Sequence, residues 1–149
     1  MTTILFDSKE HALYSDSRST ANTRVVSSRK QKISVIHHPE LGECLIGCAG
    51  INECITVALA FLENGGEKPS IDEFESILIT KDWRLFNVYA KQLIPVLIPY
   101  ENDCIGSGSQ IAAAVLHATS DALLAMKTAR ELDVCTGGAI QKGWFDGEQ

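Results

Sequence analysis

The sequence predicts an α+β fold, a four-layer sandwich of two stacked antiparallel sheets flanked by helices. Three observations predict it. Strand-like runs come in blocks instead of alternating singly with helices. Helical periodicity is confined to three stretches, one after the first block of strands and two after the second. Finally, each sheet needs an apolar cover on both faces, and the simplest arrangement gives it helices on one and the other sheet on the second.

The first third reads as strands. Thr2 to Phe6 is a β-branched and apolar run, Asp7-Ser8-Lys9-Glu10 supplies turn chemistry, and His11 to Ser15 returns as the second arm of a hairpin. Asp16 to Thr23 is rich in Ser, Thr and Asn and reads as a polar loop. Lys32 to His37 alternates, and Glu43 to Cys48 places Cys44, Ile46 and Cys48 on one face. After Gly50, residues Ile51, Ile55, Ala58, Leu59 and Leu62 recur at helical spacing until Asn64-Gly65-Gly66 stops the helix. A second block of strands follows in Glu75 to Thr80, Trp83 to Lys91 and Leu93 to Ile98. Pro95 and Pro99 make the last of these an edge or irregular strand. Asn102 to Ile105 leads into Gly106-Ser107-Gly108-Ser109, and Ile111 to Ala118 is helical. Ser120 can cap a further helix, Asp121 to Leu132, and Cys135 to Ile140 reads as a closing strand.

Composition bounds the rest. A chain of 149 residues fits one domain spanning 1–149, and at this size about 70% of the unfolded surface is buried without disulfide support. Hydrophobic residues are 45% and charged residues 21%, which excludes disordered and fibrous classes. Thirteen Lys and Arg against nineteen Asp and Glu give −6, so neither nucleic acid nor an anionic membrane is an expected partner. No run is long enough to be a signal core or a bilayer span. Cys44, Cys48, Cys54, Cys104 and Cys135 are odd in number and scattered, which suits free thiols in a reducing cytoplasm.

Thr2 is the residue with the most chemistry in it. If Met1 is removed, Thr2 carries both a nucleophilic Oγ and a base, because a free α-amine has a pKa of roughly 7.7 to 8.0. Taken alone, Thr2 is far more often just the start of a strand, because Met-Thr is a common beginning and a short motif is weak evidence. Lys32 beside Arg29 and Lys30 could be a solvated strand end, and Asp16 could cap a loop. Gly106-Ser107-Gly108 could be a plain turn or a phosphate cradle, but no Lys follows as in a P-loop. No Gly-x-Ser-x-Gly occurs, which removes the nucleophile elbow. His37, His38, Cys44 and Cys48 crowd within twelve residues but lack Cys-x-x-Cys, so buried thiols and loop histidines are expected and no metal site is assigned.

Thr2-Thr3-Ile4, then Asp16-Ser17-Arg18-Ser19-Thr20, then Lys32-Ile33 closely resemble the β-subunit of the proteasome and the HslV-type peptidase. Those proteins open with Thr-Thr-Ile or Thr-Thr-Leu, carry Asp-Ser-Arg-Ala-Thr one hairpin later, and place a Lys sixteen positions beyond that Asp. Asp16 to Lys32 keeps the spacing of sixteen, and the first hairpin is two residues shorter than usual. Gly47-Cys48-Ala49-Gly50 resembles the stretch that forms the family's oxyanion hole. Ile105-Gly106-Ser107-Gly108-Ser109 matches its Gly-Ser-Gly, and Leu132 to Gly138 resembles the element that closes its site. The similarity runs from Thr2 to about Ile140.

The resemblance implies the N-terminal-nucleophile hydrolase fold and a threonine endopeptidase that is active once Met1 is removed. Carried over by motif, Thr2 Oγ would attack the scissile carbonyl while its own amine moves the proton. Lys32, as an ammonium, would lower the amine's proton affinity and stabilise charge on Oγ, and Asp16 would orient Lys32. The Gly50 N–H would face the oxyanion. Ser107, Asp133 and Thr136 would fix the amine and an adjacent water.

By the same matching, Ser19, Lys30, Cys48, Asn52 and Thr56 would line the pocket for the side chain before the cut; Cys48 at its base suits a medium-sized neutral or apolar residue, and Lys30 would admit an acidic one. No cofactor is required, although relatives often hold a monovalent or divalent cation on carbonyls near Asp133 to Thr136. The implied partners are peptide or unfolded protein and further copies of the chain in a homo-oligomeric ring. An ATP-dependent unfoldase is also compatible, although the family's second helix is reduced or lost here. Two other readings remain: a silent ring or scaffold protein if Met1 is retained, and an amidase acting on a small amide.

Overall fold

The computed structural model describes residues 2–21, 24–27, 31–99 and 101–145, with backbone alone for 19–21 and 24–27. Two antiparallel sheets are stacked face to face. The first is four-stranded and is built on β1 (Thr3–Asp7) and β2 (Ala12–Ser15), a hairpin closed by the turn through His11. Its edges are β10 (Asp103–Gly106) against β1 and β11 (Gln141–Gly143) against β2. The second runs in chain order through β5 (Ile33–His38), β6 (Gly42–Gly50), β7 (Phe74–Thr80), β8 (Leu85–Tyr89) and β9 (Val96–Leu97).

Period-two alternation divides the side chains among three apolar layers. Between the sheets lie Ile4, Phe6, Leu13, Leu45, Ala49, Ile77 and Ile79. On the outer face of the second sheet, Cys44, Ile46, Cys48 and Leu78 pack under Ala58 and Leu62 of α1 (Asn52–Asn64). On the outer face of the first, Leu5, Ala12 and Tyr14 meet α2 (Ser109–Thr119) and α3 (Ala122–Leu132) through Ala112, Leu116, Ala125, Met126 and Ala129. With both faces covered, β1 is buried along its whole length. Small alanines let α2 and α3 lie close to the sheet. The layers are therefore helix, sheet, sheet, helix pair, as the sequence predicts.

Four local expectations need correction. The stretch read as a polar loop, Asp16 to Thr23, contains β3 (Ser19–Ala21), which pairs with β4 (Arg24–Ser27) in a two-stranded ribbon. A ribbon outside both sheets needs no apolar alternation, so periodicity does not reveal it. Trp83 is not in a strand but in the turn before β8, with φ of 64° and its N–H on the Thr80 carbonyl. Ser120 does not cap α3; it ends α2 in the left-handed region (φ 56°), and Asp121 caps α3 by accepting from Leu124 N at 3.0 Å. The closing strand is Gln141–Gly143, not Cys135 to Ile140, because the backbone before it is bonded to the Asp16–Ser17 segment. Among the described residues no helix is long and apolar enough to cross a membrane.

Candidate active site

Thr2 directly precedes β1, and the pairing of β1 with β2 brings Asp16, one residue past β2, back beside it. The Asp16 N–H donates to the Thr3 carbonyl at 3.3 Å, and the Thr3 N–H donates to Asp16 Oδ1 at 3.2 Å. Lys32 comes from the other sheet, immediately before β5, where its carbonyl accepts from Cys48 N of β6 at 3.1 Å. From there Lys32 Nζ reaches Thr2 Oγ1 at 2.7 Å and Asp16 Oδ1 at 2.7 Å. Thr2 is 6% exposed, and the side chains of Lys32 and Asp16 are 6% and 0% exposed.

A desolvated ion pair of this kind holds only if its remaining hydrogen-bonding capacity is met. Asp16 meets that requirement with its second oxygen, Oδ2, which accepts from Gly137 N at 3.0 Å. The carboxylate therefore takes two backbone N–H groups and one ammonium. That fixes Lys32 in position and aims one of its protons at the threonine oxygen.

A second polar cluster approaches from the opposite side. Gly106 ends β10 with φ of 95°, and a Cβ there would lie 1.8 Å from the Thr2 carbonyl oxygen, so only glycine allows the approach. Ser107 Oγ then lies 3.5 Å from that carbonyl and donates to Asp133 Oδ2 at 2.6 Å. Thr136 Oγ1 donates to the same oxygen at 2.5 Å and sits 2.7 Å from Thr3 Oγ1, and Cys135 N donates to Asp133 Oδ1 at 3.4 Å. Burial alone would raise the Asp133 carboxyl, but the bonds from Ser107, Thr136 and Cys135 outweigh it and hold it below the ordinary value of 3.8.

Six of the sequence-predicted residues, Thr2, Asp16, Lys32, Ser107, Asp133 and Thr136, thus form one connected set. Gly50 closes β6 with φ of 138°, where a Cβ would lie 2.3 Å from the Glu73 carbonyl oxygen. It stands two residues past Cys48, whose N–H donates to the Lys32 carbonyl, and just before α1. Of the proposed pocket residues, Asn52 and Thr56 are exposed one turn apart on α1, linked by the Thr56 hydroxyl donating to the Asn52 carbonyl. Cys48 lies in the core beneath that helix, and burial pushes its thiol up to about 12. Ser19 lies in β3, where only backbone is described, and Lys30 and Met1 lie outside the described residues.

Sequence reasoning missed Thr3, Ser17, Glu75 and Gly137 as contributors. Ser17 N donates to the Gly137 carbonyl at 3.0 Å and its hydroxyl to the Ala139 carbonyl at 2.8 Å. Glu75, on β7, accepts from Gly106 N at 3.2 Å and ties the second sheet to the glycine turn. Thr3 and Ser17 stood inside the quoted motifs. No local signal marks Glu75.

Several groups near the expected cation position already take part in hydrogen bonds. The carbonyls of Val134, Gly138 and Ala139 accept from Arg18, Arg130 and Ser17, and the Asp133 carboxylate is already shared by three donors. Among the described residues, His37, His38, Cys44 and Cys48 form no metal-holding group. His38 Nδ1 accepts from Glu40 N and Leu41 N, whereas both thiols are buried under α1.

No family model matches the sequence, and no curated protein matches it. Solved structures do. The eukaryotic HslV from Trypanosoma brucei superposes with a TM-score of 0.75 at 21% identity, over 95% of this chain and 98% of that one. Thiobacillus denitrificans BPH in complex with epoxomicin gives a TM-score of 0.68 at 16% identity, over 95% and 97%. The same protein in a separate structure gives 0.63 at 14% identity, over 95% of each chain. At such identities the likeness is one of fold, and the fold of this chain is that of HslV and the proteasome-like N-terminal-nucleophile peptidases.

Proposed function

We propose that this chain is a threonine endopeptidase that uses Thr2 as its nucleophile after Met1 is removed. The observation that carries the reading is the Lys32 ammonium, buried and shared at 2.7 Å between Thr2 Oγ1 and the Asp16 carboxylate. A hydroxyl in that position is acidified by a cation that the protein has already desolvated, where charge acts more strongly than in water.

In the proposed reaction the freed α-amine takes the Oγ proton as Oγ bonds to the scissile carbonyl carbon. The Gly50 N–H stabilises the oxyanion, a contribution of roughly 3–4 kcal/mol per donor. The carbon–nitrogen bond then breaks, the amine returns the proton to the leaving nitrogen, and water hydrolyses the ester on Thr2. Ser107, Asp133 and Thr136 fix the freed amine and an adjacent water by hydrogen bonds. Asn52 and Thr56, with Ser19, Lys30 and Cys48, are the proposed wall of the pocket before the cut. The substrate class is peptide or unfolded protein, and the proposed assembly is a homo-oligomeric ring, to which an ATP-driven unfoldase could dock. Free thiols and an acidic chain support a cytoplasmic setting.

The test is intact mass with peptide hydrolysis. The active chain should lack Met1, cleave peptides, and gain the mass of one epoxomicin, the ligand of the T. denitrificans protein. Thr2→Ala and Lys32→Ala should each abolish hydrolysis with the assembled particle intact. Full activity in either variant defeats the assignment, and a chain that keeps Met1 and binds no inhibitor is the silent form.

A further inference from the structure

The segment from Leu132 to Gly138 carries Asp133, Thr136 and the Gly137 N–H, yet almost no apolar burial secures it. Val134 is 85% exposed and Leu132 65% exposed. What secures it is polar, and Arg18 is central. Arg18 Nη1 donates to the Val134 carbonyl at 3.0 Å. Its guanidinium lies against Gly137 so closely that a Cβ at that position would sit 2.2 Å from Arg18 Cζ, 2.3 Å from Nε and 2.4 Å from Nη2. Arg130 adds a longer bond, 3.4 Å, to the Gly138 carbonyl.

We propose that Arg18 is a positioning residue whose guanidinium holds the 133–138 segment against Asp16. The chain of consequence is short. Arg18 fixes Val134 and Gly137, Gly137 N–H holds Asp16 Oδ2, and Asp16 Oδ1 holds the Lys32 ammonium on Thr2. A planar fork that both stacks and donates suits this place, and a lysine would keep the charge but lose the stacking on Gly137.

The activity arm of the test rests on the peptidase reading; the exchange arm does not. Arg18→Ala should lower kcat about a hundredfold with KM little changed, because the site would be misplaced by a fraction of a bond length while the substrate contacts remain. Arg18→Lys should fall between. Guanidinium ion, added well below denaturing concentration, should restore the Ala variant, and Mg2+ or K+ should not. A chelator should leave the wild type unaffected.

In hydrogen exchange, the amides of Gly137 and Ser17 should lose protection in both variants while those of β1 and β2 keep theirs. Unchanged exchange at Gly137 and Ser17 in folded Arg18→Lys overturns the proposal, as does restoration of Arg18→Ala by Mg2+ or K+ instead of guanidinium. A wild type without hydrolysis overturns the peptidase reading alone, and exchange still decides the role of Arg18.

Discussion

Asp133 shows how a single carboxylate is tuned by three donors. Its protonation is held below the ordinary Asp value of 3.8 because Ser107, Thr136 and Cys135 outweigh the cost of burial. A depressed folded-state value stabilises the protein above 3.8, and that contribution is lost as pH falls through the depressed value. Ser107→Ala removes one donor, so the carboxyl should titrate at higher pH and acid unfolding should begin earlier. Carboxyl NMR titration of both proteins checks the first, and an acid melt followed by circular dichroism checks the second. An unmoved Asp133 in the variant would mean that Ser107 contributes no net stabilisation.

Legibility at this scale followed the motifs. Asp16 and Lys32 could be found because their spacing of sixteen and their flanking motifs match the resembled family over one short stretch of chain. Arg18 was visible only as a motif letter, since its partner Val134 lies 116 positions away. Gly137 acts through its backbone N–H, a group that every non-proline residue carries, so composition could not single it out.

At the scale of elements, the boundaries were set by caps and by competing backbone bonds. The sequence placed α3 from Asp121, but the side chain of Asp121 is what satisfies the first turn, and the helix proper begins at Ala122. Asp121→Ala should cost about 1 kcal/mol of stability, measured by chemical denaturation, and should leave peptide hydrolysis untouched. The long apolar strands of both sheets and the periodic helices were readable because their side chains report burial directly. The ribbon of β3 and β4 was not, because its pairing involves backbone groups outside the stacked sheets. The segment from Cys135 to Ile140 misled for the opposite reason. Its β-like composition is real, but Asp16 and Ser17 take its hydrogen-bonding groups before a sheet can.

For the whole molecule, the layer between the sheets is the structural link between the two halves of the site. Thr2 and Asp16 belong to one sheet and Lys32 to the other, so the 2.7 Å contacts depend on the spacing that Ile4, Leu13, Ala49 and Ile77 maintain. Ile77 is fully buried there, and Ile77→Ala should cost about 2–5 kcal/mol, whereas Val35→Ala, at a half-exposed position, should change stability by about 0.5 kcal/mol or less. Thermal and denaturant melts of the two variants measure the difference. Equal losses would show that the intersheet layer is not where the stability resides.

The strand that Thr2 leads is laced on both flanks, to β10 on one side and β2 on the other. In the proposed peptidase a reactive oxygen mounted there would arrive at each encounter already set, with its ordering cost met during folding instead of during turnover. On that reading, adjustment to different peptides would fall to the incoming chain and the exposed start of α1, so capture of a rigid covalent probe should follow a single exponential with no slow isomerisation ahead of bond formation.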